Sequence, residues 1–496
     1  MNIPLRKFPN QTPGGETCDL TAGSTSIPAM LTPGKSRLLL SILSIAAFMA
    51  GLDLFIVNVA FDDIGKDFQG EPLANLSWIL NGYAIIFAAL LVPMGRLADR
   101  YGRKEGFLLG VAVFTIASGA CAASNSLWVL VAFRVLQAVG AALLTPASLG
   151  LLLSVFPPEK RAGAVRIWSA SAALAAAAGP VFGGLLVSAS WRWVFLVNLP
   201  IGLLTLVVAA RHLPSSKDES PSRMPDLPGA AVLTVAVGLL ALGLVKIDDW
   251  SPGRVAAVLA LAAAGIAGFW LRSRRHPSPV IEPALLKVPV FVWSNATAIV
   301  FSAAFAANLL CAILWMQNVW QYSALRTGLG IAPGPLMVPL GAVVASKLGR
   351  RVGPGRLTAL GCLLCVVGVV LMWRQLGQQP DYAGALLPGW LVGGAGVGLA
   401  LPTILSTATS DLPPERFSTG SAVVNMSRQI GTVLGISLLV ALLGSPRTYD
   451  DTHRAFGHAW TAIGLFMLAG AVTALGMSAR STPVERAVPH SELRAE

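Results

Sequence analysis

The chain has 496 residues, 54% of them hydrophobic and 12% charged, with a mean hydropathy of +0.68. Soluble proteins carry about 25% charged residues, so this chain is built to be solvated by lipid, which excludes a soluble catalytic domain. The net charge of +12 sits in short segments between apolar runs, where membrane topology explains it and a nucleic-acid partner is not needed.

Residues 1–36 lack the compact basic and apolar regions of a cleavable signal and read as a cytoplasmic tail. Apolar runs near the ~20 residues that a span requires then recur along the chain. They fall near 37–60, 76–95, 106–124, 127–153, 163–188 and 193–211, then 228–247 and 254–272. Six more lie near 291–315, 327–346, 356–373, 383–407, 418–443 and 458–478. The expected fold is all-α and integral to the membrane, with fourteen transmembrane helices in a 6 + 2 + 6 order. Placing both termini in the cytoplasm puts most lysines and arginines on the inner side, and leaves Arg134 and Arg428 within the membrane. Polar linkers at 212–227 and 272–289 suggest a six-helix bundle at 37–211, a linker and inserted helix pair at 212–289, and a second six-helix bundle at 290–479. Residues 480–496 form a second tail.

The first span contains Leu52-Asp53-Leu54-Phe55-Ile56-Val57-Asn58-Val59-Ala60. An aspartate within a span costs about 2.5–3.5 kcal/mol on insertion scales. Asp53 should therefore face a cavity or a partner; the alternative is a hydrated carboxylate near the outer surface, since Asp62 and Asp63 follow closely. The second span carries Asn81 and Tyr83, which with Asn58 could line a polar cavity. Between the second and third spans, Gly95-Arg96-Leu97-Ala98-Asp99-Arg100-Tyr101-Gly102-Arg103-Lys104 reads as a charged loop whose glycines permit a tight turn and close helix approach. A shorter echo, Ser346-Lys347-Leu348-Gly349-Arg350-Arg351-Val352-Gly353, follows the second span of the later six and suggests an internal repeat.

Arg134 in the fourth span stays charged, so its burial demands an acidic or carbonyl partner. Gln137 lies one turn further on. In the fifth span, Gly179-Pro180-Val181-Phe182-Gly183-Gly184 allows close backbone approach and a bend. Trp191-Arg192-Trp193 reads as an anchor at the outer interface. In the second half, Asn308, Gln317, Asn425 and Arg428 either line the cavity or hold helices together. The later spans contain no acidic residue well inside the membrane, which argues against a preference for doubly charged cations. Cys362 and Cys365 form a C-x-x-C pair inside an apolar run and read as small buried hydrophobes. No phosphate-binding Gly-x-x-x-x-Gly-Lys-Ser/Thr loop, metal-ligand cluster or cofactor signature is present, so transport is expected to run on an ion gradient.

The Gly95–Lys104 segment closely resembles the signature loop of the major facilitator superfamily. The first span resembles the first-helix motif of that superfamily's fourteen-helix drug:proton antiporters, with Phe55 in place of threonine and Phe61-Asp62 in place of leucine-proline. The Arg134 segment is similar to the fourth-helix arginine motif, with Ala138 replacing a glycine, and Gly179–Gly184 is similar to the antiporter motif found in exporters. The resemblance spans about residues 37–480. It implies proton-coupled efflux of an amphipathic drug, antibiotic or metabolite across the plasma membrane by alternating access. Asp53 and Arg134 would then handle the proton. Gly95, Asp99, Arg100, Gly102, Arg103, Gly179, Pro180, Gly183 and Gly184 would serve conformational change. In that reading the partners are a small molecule, a proton and the bilayer, with no enzyme activity. The rivals are an uptake symporter on the same fold and a non-transporting membrane sensor or scaffold.

Overall fold

The computed structural model describes residues 33–68, 71–214, 224–247, 249–413, 416–444, 446 and 448–478. Among them are 14 helices long and apolar enough to cross a membrane. In the first half these are α1 (Gly34–Val59), α2 (Leu73–Tyr101), α3 (Arg103–Ala122), α4 (Leu127–Val155), α5 (Glu159–Val187) and α6 (Trp193–His212). Next come α7 (Leu227–Val245) and α8 (Pro252–Arg275). The second half supplies α9 (Pro289–Val319), α10 (Ala324–Gly349), α11 (Pro354–Gln375), α12 (Tyr382–Ser410), α13 (Phe417–Leu443) and α14 (Tyr449–Ser478). Nearly all of both expected tails lies outside the described residues.

Helices α1 to α6 pack chiefly on one another, through α3 on α4, α1 on α5, α2 on α4 and α3 on α6. The later six do the same through α11 on α12, α9 on α13, α10 on α12 and α11 on α14. Helix α7 pairs with α8 and lies across the seam where α2 meets α13. Ala230, Leu233, Val237 and Ala241 of α7 share one apolar cluster with Ala84, Ile85, Ala88 and Val92 of α2 and with Val423, Met426 and Val433 of α13. Asp226 caps α7, accepting from the Gly229 amide at 2.9 Å and from Arg272 Nε at 2.8 Å, which fastens α8 alongside. Cys362 and Cys365 are buried, unbridged core residues.

Two sequence expectations are corrected. The charged segment expected as a loop is helical almost throughout, because α2 continues to Tyr101 and α3 begins at Arg103. The break falls on Gly102, whose φ of 126° is open to glycine and costly for other residues. Gly353 has a φ of 84° at the same point of the second half, between α10 and α11. Trp191 is not an interface anchor, being only 4% exposed. Its indole donates to Asp67 at 2.9 Å, and Arg192 donates to the same oxygen at 2.8 Å. This clamps the short helix Phe61–Asp67 onto the start of α6. Trp193, at 49% exposed, keeps the outward position.

The Trp191 indole, then the Arg192 guanidinium, hold the Asp67 carboxyl below its ordinary value. A group with a lowered folded pKa stabilises the fold above its unfolded pKa, about 3.9 for aspartate, and loses that contribution as pH falls through the folded value. The thermal midpoint of wild type is therefore expected to exceed that of Asp67→Asn at pH 7. The gap should shrink as the pH is brought below about 4, as read by differential scanning fluorimetry.

Candidate functional site

Polar groups from five helices meet inside the first bundle. Asp53 of α1 is 0% exposed and Arg134 of α4 is 1% exposed. Arg134 Nη1 donates to Asp53 Oδ2 at 2.5 Å and to Gln137 Oε1 at 2.7 Å. Its Nε donates to the Ile79 carbonyl of α2 at 3.3 Å. The other carboxylate oxygen, Asp53 Oδ1, accepts from Gln137 Nε2 at 2.9 Å and from Asn198 Nδ2 of α6 at 3.2 Å. Ser118 of α3 completes the ring, accepting from Gln137 at 3.2 Å and Asn198 at 3.0 Å and donating to the Phe195 carbonyl at 2.9 Å. The guanidinium also lies 4.3 Å from the centre of the Tyr83 ring. Desolvated cation–aromatic contacts of this kind contribute about 2 kcal/mol.

A carboxylate that accepts from three donors and has no exposed surface is held by geometry, and the hydrated alternative for Asp53 does not hold. The arrangement can exchange one proton for one ion pair. A proton added to Asp53 would cancel the charge that Arg134 balances, leaving the guanidinium held by Gln137 and the Ile79 carbonyl.

The remaining expected site residues fall into four groups. Gln137 and Tyr83, expected in the cavity lining, are 0% and 1% exposed and belong to the buried cluster. Gln137 sits there because its amide can both accept from Arg134 and donate to Asp53. Asn81 and Gln317 are also buried, and they join the two bundles at the end away from Gly102. Asn81 donates to Ser437 of α13 at 3.1 Å, and Gln317 donates to the Val59 carbonyl at the end of α1 at 3.0 Å. Asn58 turns back onto its own helix, donating to the Leu54 carbonyl at 2.9 Å. Asn308, Asn425 and Arg428 are partly exposed on α9 and α13.

The conformational residues divide as well. A side chain at Gly179 would meet Phe55 Cβ at 2.7 Å, and one at Gly183 would meet the Ile56 carbonyl at 2.9 Å, so α5 lies directly on α1 beside Asp53. Gly184 faces the other bundle, where a Cβ would stand 2.7 Å from Leu325 Cα of α10. A Cβ on Gly328 of α10 would in turn run into the Pro180 carbonyl. Gly95 approaches Pro146 of α4, with 3.2 Å to the Cβ that a side chain would add. Asp99 accepts from Arg103 Nε at 2.7 Å. Arg96 reaches further, to Ser278 Oγ at 2.8 Å and Glu282 at 3.0 Å, in the segment that leads into α9. Arg416, before α13, lies 3.6 Å from the second Glu282 oxygen.

Ser118, Asn198 and Arg96 were not singled out in the sequence. Ser118 and Asn198 are small polar residues in apolar spans, a signal shared with many helix-packing positions. Arg96 is masked by the basic residues around it.

Removing one member of a buried ion pair leaves the other uncompensated, at a cost of about 3–5 kcal/mol. Arg134→Met is therefore expected to lower the thermal midpoint of the purified protein more than the double variant Asp53→Asn/Arg134→Met does. Equal losses would mean that the pair contributes nothing beyond packing.

The family model described as Major Facilitator Superfamily matches residues 43–436. The chain is 33% identical over 436 residues to the tetracenomycin C resistance and export protein of Streptomyces glaucescens, covering 87% of this chain and 80% of that one. It is 31% identical over 475 residues to the methylenomycin A resistance protein of Streptomyces coelicolor, covering 95% and 97% respectively. Among solved structures, a bacterial homolog of the human lysosomal transporter Spinster, inward-facing and occupied, matches with a TM-score of 0.63 at 16% identity, covering 89% of this chain and 96% of that one. That last likeness is one of fold. With its fourteen spans, this multi-pass membrane protein belongs to the Major Facilitator Superfamily.

Proposed function

We propose that the chain exports an amphipathic small molecule across the plasma membrane in exchange for protons, by alternating access between its two six-helix bundles. It acts without enzymatic chemistry. The observation that carries this reading is the Asp53–Arg134 pair, a titratable carboxylate with no exposure in the middle of a membrane bundle. A sensor or scaffold has no use for so costly a group, whereas a proton-driven carrier requires one. The relatives named for antibiotic resistance and export support the direction.

The packing between bundles supports alternating access. Helices α2 and α13 lie together along much of their length. Helix α5 packs on the first turns of α10, at Ala324–Ile331, far more than on the rest of it. The Gly102 end of α5 and the second half of α10 present Ile167, Leu174, Leu340, Val343 and Val344 as exposed residues. With the basic Gly102 end taken to face the cytoplasm, this packing supports a carrier sealed on the outside and open toward the inside. Proton arrival at Asp53 from outside would require the α5–α10 contact to separate, and proton release to the inside would follow its return. Gly95, Gly102 and the Asp99–Arg103 pair lie at the end that must close when the outside opens. Arg96, Glu282 and Arg416 form a chain of charges across that same end.

Two outcomes are expected. In inverted membrane vesicles, substrate-triggered proton movement should be present in wild type and lost in Asp53→Asn at equal expression, tested with aromatic antibiotics of both charge signs. Undiminished flux in the variant would place the coupling site elsewhere, and proton-driven accumulation from outside intact cells would favour the uptake symporter. Gly184→Leu should cut transport about tenfold or more, because a side chain there meets the α10 backbone. A cysteine placed at Leu325, on the α10 side of that contact, should then become more reactive to impermeant maleimide than in wild type.

A further inference from the structure

Helix α13 carries a polar stripe. Ser421, Asn425, Arg428 and Thr432 are spaced to share one face, and all four are partly exposed. The adjoining faces are closed. Val423, Met426 and Val433 pack against α2 and α7, and side chains at Gly431 and Gly435 would run into the backbone of α9 at Ile299 and Ala303. The stripe therefore looks into the space between the bundles.

Arg428 is oriented there without being neutralised. Its Nη1 donates to Asn425 Oδ1 at 3.2 Å, and Asn425 is itself steadied by donating to the Ser421 carbonyl at 2.9 Å. The Nε is buried and has no partner. Among the described residues no carboxylate pairs with Arg428. Arg134, the other arginine in the membrane interior, has Asp53 against it. Among the described residues the interior thus holds two guanidiniums and one carboxylate, and the surplus positive charge lies on the second bundle. A guanidinium does not shed its proton, and the later spans offer no internal acid as a counter-ion.

We propose that Arg428 receives an acidic group of the transported molecule, so that the substrate is an amphipathic organic anion bearing a carboxylate. The planar fork of the guanidinium matches a carboxylate with two parallel N–H···O bonds. Asn425, already bonded to it, fixes the direction in which the fork points. The apolar body of the substrate then rests against the largely hydrophobic walls of the central space. This inference rests on the export reading above and specifies its substrate class.

The test is equilibrium binding to the full chain in nanodiscs, with empty nanodiscs as the blank. Three aromatic acids, 2-naphthoate, 9-anthracenecarboxylate and 1-pyrenebutyrate, are compared with their own neutral amides. Wild type is expected to prefer at least one acid over its amide by roughly tenfold, the scale of a charge-assisted bond. Arg428→Gln should reduce that preference to within about twofold, and Arg428→Lys should keep part of it. Monodisperse elution of each variant guards against misfolding. A wild type with no acid preference in any pair, or a preference that persists in Arg428→Gln, overturns the proposal. Binding needs no ion gradient. Failure of proton-coupled export in vesicles would thus leave this result standing, and failure here would leave the export result standing.

Discussion

One ion pair sets the terms for the first bundle. Asp53 and Arg134 are each expensive in a membrane interior, and each is tolerable because the other is there. The pair alone leaves lone pairs and N–H groups unmet, so Gln137, Asn198, Ser118 and the Ile79 carbonyl are drawn in to satisfy them. The consequence is that α1, α2, α3, α4 and α6 share one polar knot, and a change of charge on Asp53 is felt by all of them. In low dielectric such a network is strong when complete and costly when any member is missing. Coupling between proton and conformation needs a group of this kind.

The second bundle is built on different chemistry. Its interior has no acid, and its arginine is held by an amide. On the proposed reading the two halves would divide the labour, the balanced pair of the first serving the driving ion and the unbalanced charge of the second serving the cargo. They meet along α2 and α13, a largely apolar seam lined by α7, so that in the proposed cycle α5 and α10 would part at one end without dissolving the interface. Small residues concentrate where the parting surfaces touch. Gly184 and Gly328 allow the helices to seal there by backbone contact, with no side chain to withdraw when they separate.

The fourteen-span helical fold was legible in the sequence, because apolar runs of span length are strong, local signals. Asp53 and Arg134 were legible too, since a charge in a span demands an explanation. What escaped was everything decided by direction. Gln137, Tyr83, Asn81 and Gln317 were recognisable as polar residues in apolar spans, yet nothing in their spacing distinguishes a cavity wall from a buried knot or a contact between bundles. Trp191 looked like an interface residue until Asp67, more than a hundred positions earlier, was found bonded to its indole. The charged segment before α3 was read as a loop because its glycines and charges resemble one. Its actual break occupies a single residue.

That single residue has a counterpart. Gly102 and Gly353 begin the third helix of each half from a backbone conformation that side chains resist, yet the residues around them have diverged, and the aspartate present at position 99 has no equivalent beside Gly353. No neighbouring atom crowds Gly353, so the glycine there serves an angle and not a contact. The later half has no aspartate at the position that matches 99, yet its third helix leaves the turn through a positive φ as the first half's does.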